Sequence, residues 1–199
     1  GDGIDQFIWE PGDGSDLVQG GDDGADILRF FGSDAVADAF TLTPAGGAPT
    51  HFNIILGAAT VDTHGVEQIN VTGRTGGDTF TIADLTPTEV KHILVDVTAG
   101  DADSVIVNGR DADDNLLIST EGAGQVNVLG LGYDVRLLNV AAGAGSDTLT
   151  VNGNDGNDMI KSVNGVEAQV NISLSGGQGN DFLSADASLS GGLGNDTLI

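Results

Sequence analysis

Short phrases that combine glycine with aspartate recur along this chain, and they are its best candidates for chemistry. The pattern Gly-x-Gly-x-Asp occurs five times, each time with an apolar residue two places after the aspartate. The five aspartates are Asp5, Asp16, Asp147, Asp181 and Asp196. Because glycine adopts backbone angles closed to other residues, carbonyl oxygens can converge beside the carboxylate. Such a set of oxygens suits a hard cation like Ca²⁺, which takes roughly six to eight oxygen ligands.

Less regular copies of the phrase enlarge the set of candidate metal ligands. Asp26 and Asp158 stand in near-copies that keep the apolar residue two places on. Weaker copies add four more aspartates: Asp78, Asp103, Asp114 and Asp155. The last two full phrases, GGQGNDFL and GGLGNDTL, also offer glycine carbonyls, at Gly177, Gly179, Gly192 and Gly194. A single turn has too few oxygens for Ca²⁺, so we expect two stacked turns to share each ion.

Strands with alternating side chains separate these turns. In QINVTG, DTFTI, SVIVNG and QVNISLSG every second residue is apolar, which is the period of a β-strand. Residues 105–118 align with residues 148–161 when their Asn-Gly pairs are matched, and residues 65–73 echo residues 165–173. The repeating unit is a short strand, a Gly/Asp turn and a second short strand. Repeats of this kind predict an all-β fold in which the units stack.

Two segments depart from this unit. Residues 40–64 match the turn phrase least well, so we expect either a wider coil or a lateral insertion there. In LTPTEVKHIL, residues 85–94, Thr86 could be a helix N-cap, with Pro87 in the first turn and Glu89 as the capping-box partner. The alternative for this segment is a loop that joins two strands.

The charge of the chain limits its partners. Thirty acidic residues face six lysines and arginines, so the formal net charge is −24. This balance argues against nucleic acid and anionic membranes, which bind through basic residues, and it favours cations. The alternative is that the acidity only serves solubility or growth in salt. The chain has no cysteine for a disulfide or a thiolate-bound metal, and no apolar run long enough to insert into a membrane.

The turn phrases also divide the chain into zones. Residues 1–38 and 141–199 are dense in turns, whereas residues 39–140 have longer strands and looser turns. Since no Pro- or Ser-rich linker separates the zones, we expect one continuous unit over residues 1–199.

The phrases resemble the Gly-Gly-x-Gly-x-Asp nonapeptide of the RTX, or haemolysin-type, calcium-binding repeats. The likeness is close over residues 1–31 and 143–199, whereas the middle zone is more similar to the irregular β-helical coils of very large bacterial surface proteins. The resemblance implies a right-handed parallel β-solenoid of the β-roll or β-helix kind, with the aspartates named above as calcium ligands. In a regular roll the turns alternate between two edges, so stacking partners would be every second phrase. Here neighbouring phrase aspartates within the two turn-rich zones are 10 to 23 residues apart, which leaves the stacking order open.

The resemblance implies a calcium-stabilised structural or adhesive module of a secreted or cell-surface bacterial protein, with roughly four to eight ions. Its expected partners are the calcium ions, flanking repeats or further copies of the chain stacked end to end, and a surface glycan or protein. We expect no enzymatic activity. The alternative is a β-helical carbohydrate-active enzyme, or the accessory repeats of one, which would bring carboxylates together with basic residues in a groove.

The remaining polar residues give weaker signals. Arg74 and Arg110 occupy matching places in two repeats, where they either balance the acidic turns or contact a substrate. His51, His64 and His92 have no metal-ligand spacing, and we interpret them as surface or strand-end residues. Asp62 lies outside every turn phrase.

Overall fold

The computed structural model describes residues 3–21, 24–46, 51–98, 101–141 and 146–199. Every helix or strand assigned within these ranges is a β-strand, so the all-β class is confirmed. None of the described residues belongs to a helix with the length and apolar character that crossing a bilayer requires. The phrases at 1–5, 22–28 and 143–147 lie partly outside the described residues.

The strands, numbered along the chain, form two sheets. The first sheet contains, in chain order, β1 (Gln6–Trp9), β3 (Ile27–Phe31), β7 (Gln68–Thr72), β9 (His92–Asp96), β11 (Asn115–Gly122), β12 (Gln125–Leu129), β13 (Asp134–Leu138), β15 (Met159–Ser162), β17 (Phe182–Ser184) and β19 (Thr197–Leu198). The second contains β2 (Asp16–Gln19), β4 (Ala39–Pro44), β5 (Phe52–Leu56), β6 (Ala59–His64), β8 (Thr79–Ile82), β10 (Ser104–Asn108), β14 (Thr148–Asp155), β16 (Asn171–Gln178) and β18 (Ser188–Leu193).

Most of the pairing within each sheet is parallel. The chain passes from one sheet to the other between most successive strands and returns to lie parallel to an earlier strand. The order in the first sheet is β1-β3-β7-β9-β13-β12-β11-β15-β17-β19, and in the second β18-β16-β14-β10-β8-β4-β5-β6-β2. The pairing of Asn108 with Asn152 and of Asn115 with Met159 confirms the alignment of residues 105–118 with 148–161. The echo between residues 65–73 and 165–173 has no such counterpart, because β7 and β16 lie in different sheets.

Two antiparallel meanders interrupt the parallel order. Strands β4, β5 and β6 lie side by side in the second sheet, and β11, β12 and β13 do so in the first. The first meander confirms the lateral-insertion alternative for residues 40–64. Among the described residues each sheet contains one meander, so the two sheets have similar numbers of strands.

The core lies between the sheets and consists of the apolar residues that alternate along the strands. Phe30 of the first sheet meets Phe40 of the second edge-to-face, with ring centroids 6.1 Å apart, and Phe40 stacks on Phe80 of the neighbouring strand at 4.7 Å. The side chains of Ile69, Val105 and similar positions are fully buried. Burial of one face of every strand fixes the register, because a slip by one residue would turn the apolar side chains outward.

Residues 85–91 form a turn, which confirms the loop alternative for this segment. The backbone N–H and the Oγ1 hydroxyl of Thr88 both donate to the carbonyl of Leu85, at 2.9 and 2.7 Å. The side chains of Leu85 and Val90 are buried in the core. Strand β9 then begins at His92, inside the segment for which a helix was the other alternative.

Candidate metal centre in the aspartate ladders

Aspartates stand at the residue just before many strands, and the parallel register stacks them into ladders. The first-sheet ladder comprises Asp114, Asp158, Asp181 and Asp196, which precede β11, β15, β17 and β19. The backbone N–H of each of the first three donates to Oδ1 of the next, at 2.8, 2.8 and 3.0 Å. Each carboxylate therefore accepts the main-chain hydrogen bond of the preceding turn, which a buried N–H requires.

The second-sheet ladder repeats this arrangement before β4, β8, β10 and β14. It comprises Asp38, Asp78, Asp103 and Asp147, and the N–H to Oδ1 distances between successive members are 2.8, 2.7 and 3.0 Å. A shorter row stands before β1, β3 and β7. In that row the Asp5 N–H donates to Asp26 Oδ1, and the Asp26 N–H donates to Glu67 Oε2, both at 2.7 Å.

The other carboxylate oxygen of five ladder aspartates is buried without a hydrogen-bond donor among the described residues. These are the Oδ2 atoms of Asp26, Asp78, Asp103, Asp158 and Asp181. All five side chains belong to residues that are almost completely buried. A buried carboxylate oxygen without a donor is unfavourable, so it attracts a proton or a cation.

Three other ladder aspartates have their Oδ2 occupied by main-chain donors. The Ser33 N–H donates to Asp38 at 2.5 Å, and the Ala141 N–H donates to Asp147 at 2.7 Å. Asp114 accepts the Arg110 N–H at Oδ2 and the Arg110 Nε–H at Oδ1, both at 2.7 Å. At this turn the guanidinium brings positive charge directly to the ladder carboxylate, and the carboxylate in turn raises the pKa of Arg110.

Burial raises the pKa of three ladder carboxyls far above the ordinary value. The pKa of Asp103 rises to about 7, and the pKa values of Asp78 and Asp158 rise to about 6. Loss of water is the largest cause, and repulsion from the stacked carboxylates above and below adds to it. Without a bound cation, these groups therefore lose their protons only as the pH rises through about 6 to 7.

In seven of the described turns, a glycine five or six residues before the aspartate makes room for the carboxylate. A Cβ on Gly153 would lie 2.1 Å from Asp158 Oδ2 and 2.6 Å from the carbonyl oxygen of Gly176 in the next stacked turn. A side chain at Gly153 would thus fill the space in which a carboxylate oxygen and a main-chain oxygen approach each other. A Cβ on the glycine five or six residues before the aspartate would likewise lie within 3 Å of Oδ2 at Asp26, Asp38, Asp78, Asp114, Asp181 and Asp196, and a main-chain oxygen of the next turn is equally close at Asp26, Asp38 and Asp114.

The later glycines of the phrase allow the turns to stack closely. Gly179 has φ +135°, and a Cβ there would lie 1.6 Å from the carbonyl oxygen of Gly156 in the turn before it. A Cβ on Gly194 would lie equally close to the carbonyl oxygen of Gly179. A Cβ on Gly192 would lie 2.1 Å from the carbonyl oxygen of Gly177, two residues earlier in each phrase. All four predicted glycines therefore lie where the main-chain carbonyls of adjacent turns face each other.

An exposed row of polar side chains runs beside the first-sheet ladder, one residue before each aspartate. The Asn157 N–H donates to Asp113 Oδ1, the Asn180 N–H to Asn157 Oδ1, and the Asn195 N–H to Asn180 Oδ1, at 2.7, 3.0 and 2.9 Å. In the buried row each N–H donates to the side chain of the following turn, whereas in the exposed row each N–H donates to the side chain of the preceding turn. This accounts for the Asn-Asp pair in both closing phrases.

Two predicted ligands lie outside the ladders. Asp16 is exposed at the start of β2, and Asp155 is exposed at the end of β14, where its Oδ1 accepts the Gln178 Nε2–H at 2.6 Å. The other predicted aspartates, including the weaker candidates Asp78, Asp103 and Asp114, belong to a ladder. Sequence reasoning missed Asp38 and Glu67, although each stands one residue from a strand start.

The stacking order differs from strict alternation between two edges. Asp5 stacks with Asp26 and bypasses Asp16, as alternation predicts. Asp158, Asp181 and Asp196 come from consecutive phrases and nevertheless stack directly, so the expectation of every second phrase is wrong there. The physical reason is that the opposite connections, residues 163–170 and 185–187, have no Gly/Asp turn, so these three consecutive phrases all fall on the same edge.

Arg74 and Arg110 do not share a face, because they follow strands of different sheets. Arg74 lies 3.3 Å from Glu10 and 4.0 Å from Asp34, with its guanidinium 5.1 Å from the centre of the Phe31 ring. Both arginines contact acidic side chains, which favours charge balance over substrate contact.

Comparison with known proteins identifies no relative. No protein-family model matches the chain, and no curated protein is significantly similar to it in sequence.

Proposed function

We propose that this chain is a calcium-stabilised structural or adhesive module of a secreted or cell-surface protein. One observation carries the proposal: five stacked aspartates have a buried Oδ2 with no donor among the described residues. Four of these oxygens, those of Asp26, Asp78, Asp158 and Asp181, belong to Gly-rich turns in which main-chain carbonyls approach the neighbouring turn. Calcium bound there would supply the missing positive charge.

The chemistry of the donor set favours Ca²⁺ over other metals. The ladder turns offer carboxylate and carbonyl oxygens, and no nitrogen or sulfur, whereas Zn²⁺ prefers imidazole and thiolate. Mg²⁺ demands a compact octahedron and gives up its waters reluctantly, while Ca²⁺ accepts irregular sets of main-chain oxygens. We assign the ions to the turns of Asp26, Asp78, Asp103, Asp158 and Asp181, with their stacked neighbours as partners.

We further propose that the two sheets wind as a right-handed parallel β-solenoid. The support is the repeated passage between sheets followed by a parallel return, as from β14 through β15 to β16. Crossover connections between parallel strands are right-handed in nearly all known cases. A solenoid also gives each ladder its even spacing, because successive turns are related by one strand separation.

The groove beside Trp9 offers no support for the alternative of glycoside hydrolysis. This groove, of about 720 Å³, is lined mainly by small and apolar residues such as Leu56 and Ala59. Asp38 is the one carboxylate in its described lining, and its Oδ2 already accepts the Ser33 N–H. Glycoside hydrolysis needs a second carboxylate. We propose that the faces of the module bind a surface glycan or protein, or flanking repeats.

A crystal structure of the chain grown in calcium tests the assignment, with anomalous scattering to identify the ions. We expect roughly four to eight ions, all within bonding distance of ladder carboxylates. A structure in which the ladder turns hold only water, in crystals containing millimolar calcium, would contradict the proposal.

A further inference from the structure

Two histidines and an aspartate converge on the outer face of the first meander, away from the ladders. His51 Nε2 and His64 Nε2 lie 3.8 and 3.6 Å from Asp62 Oδ1, and one ligand atom from each residue falls within 4.8 Å of the others. The two imidazole rings stack with centroids 4.2 Å apart. This cluster has no signature in the sequence, because its members are brought together only by the pairing of β5 with β6.

The meander holds the three side chains in place. Asp62 and His64 are two residues apart on β6 and therefore share a face, outside the buried Val61 and Thr63. Phe52 pairs with Thr63, so His51, one residue earlier, stands opposite His64. The Thr63 Oγ1 hydroxyl donates to the Phe52 carbonyl at 2.8 Å and fixes this register.

The polar atoms of the cluster do not satisfy one another. At 3.6 and 3.8 Å, neither imidazole nitrogen forms a hydrogen bond with Asp62 Oδ1. Asp62 Oδ1 and His51 Nδ1 are buried and have no hydrogen-bond partner among the described residues. The His51 side chain is only 10% exposed. The three ligand atoms converge but are too far apart to hydrogen-bond, and they lie partly out of water. This is the arrangement expected of ligands around a metal ion.

We propose that His51, Asp62 and His64 form a site for a divalent transition metal, with Zn²⁺ as the representative ion. Around tetrahedral zinc, with bonds of about 2.1 Å, neighbouring ligand atoms are about 3.4 Å apart, close to the separations found here. Two imidazoles and one carboxylate fill three positions, and the fourth is open to water or to a ligand from a partner. Ca²⁺ is disfavoured, because it is a hard cation that takes oxygen ligands.

Zinc titration of the full chain by isothermal calorimetry tests the site, in millimolar calcium so that the aspartate turns are engaged by the harder ion. We expect one zinc ion per chain, and a loss of affinity of at least tenfold in His64→Gln. The matched control is His92→Gln, since His92 also lies beside a carboxylate, with its Nδ1 2.5 Å from Asp134, but has no second histidine. Equal binding by His64→Gln and the unmodified chain, or equal weakening by His92→Gln, would overturn the proposal.

Imidazole ¹H–¹⁵N correlation spectra of the unmodified chain give an answer that does not depend on how the variants fold. One equivalent of zinc should shift the Nε2 resonances of His51 and His64 and leave those of His92 in place. No shift at one equivalent, or a gradual shift of all three histidines that only excess zinc produces, would show that the cluster is not a site.

Discussion

The backbone N–H of Asp158 donates a 2.8 Å hydrogen bond to Oδ1 of Asp181, which stands 23 residues later in the chain and one turn further along the stack. Oδ2 of the same Asp181 is buried and has no donor among the described residues. The two oxygens of one carboxylate therefore have different roles. Oδ1 joins neighbouring turns, and Oδ2 is the atom to which we assign a cation. An asparagine at this position would keep the first role and lose the second.

Asp181→Asn should lower calcium affinity by at least tenfold at its site while keeping the fold in calcium. The amide oxygen of asparagine can still accept the Asp158 N–H, but the residue brings no negative charge to an ion. Calcium titration calorimetry measures the effect, with Asp186→Asn as the control because Asp186 is exposed and outside the ladders. Identical titrations for the two variants would argue against Asp181 as a ligand.

In the absence of calcium, the protein should be less stable at pH 7.5 than at pH 5. The folded-state pKa values of about 6 to 7 for Asp78, Asp103 and Asp158 exceed the ordinary 3.8, so the folded state holds protons that the unfolded state releases. This contribution is complete below about pH 4 and is lost as the pH rises through about 6 to 7. Calcium should reverse the trend, since it binds the ionised carboxylates.

Thermal unfolding of calcium-free protein at the two pH values checks this expectation. Asp103→Asn is the informative variant, because it removes the group with the highest of the three pKa values and should flatten the pH dependence. A calcium-free melting temperature that rises from pH 5 to pH 7.5 would contradict the account of the buried carboxyls.

Gly179→Ala should destabilise the fold by more than about 2 kcal/mol, through both strain at positive φ and overlap with the neighbouring turn. Gly165→Ala separates the two causes, because Gly165 also has positive φ, +96°, but a Cβ there would meet nothing within 4 Å. Gly165→Ala should lower the free energy of unfolding by only about 1 kcal/mol, from backbone strain alone. Chemical denaturation in calcium compares the two variants, and equal losses would show that close turn stacking is unimportant.

Arg110→Gln should destabilise the calcium-free protein by about 1 to 3 kcal/mol, because it leaves the fully buried Asp114 side chain without its charged donor. Arg29→Gln serves as the control, since Arg29 is exposed on β3. The loss should shrink in calcium if an ion takes the place of the guanidinium. Denaturation with and without calcium measures both parts, and a loss no larger than that of Arg29→Gln would count against the pairing.

The sequence was sufficient to predict the all-β class and most of the ladder aspartates. Strand alternation and the glycine-aspartate phrases are local signals, and the Asn-Gly alignment even gave the pairing of Asn108 with Asn152. The antiparallel meanders come from long-range strand pairing, which has no local signal. The direct stacking of Asp158, Asp181 and Asp196 depends on which turns share an edge, and this is decided by intervening connections that lack the glycine-aspartate phrase. His51 and His64 were interpreted singly because only the pairing of β5 with β6 brings them together.

Circular dichroism of the chain in chelator, in millimolar calcium and in millimolar magnesium tests the central claim most directly. With a net charge of −24 and several buried carboxylates without a donor among the described residues, we expect the metal-free chain at pH 7.5 to lose much of its β-structure and to melt at a lower temperature. On our proposal that calcium binds the folded state, calcium should restore a β-rich spectrum and a cooperative melting transition, and magnesium should not. The same β-rich spectrum and the same melting temperature in all three solutions would contradict the claim that the aspartate ladders bind calcium.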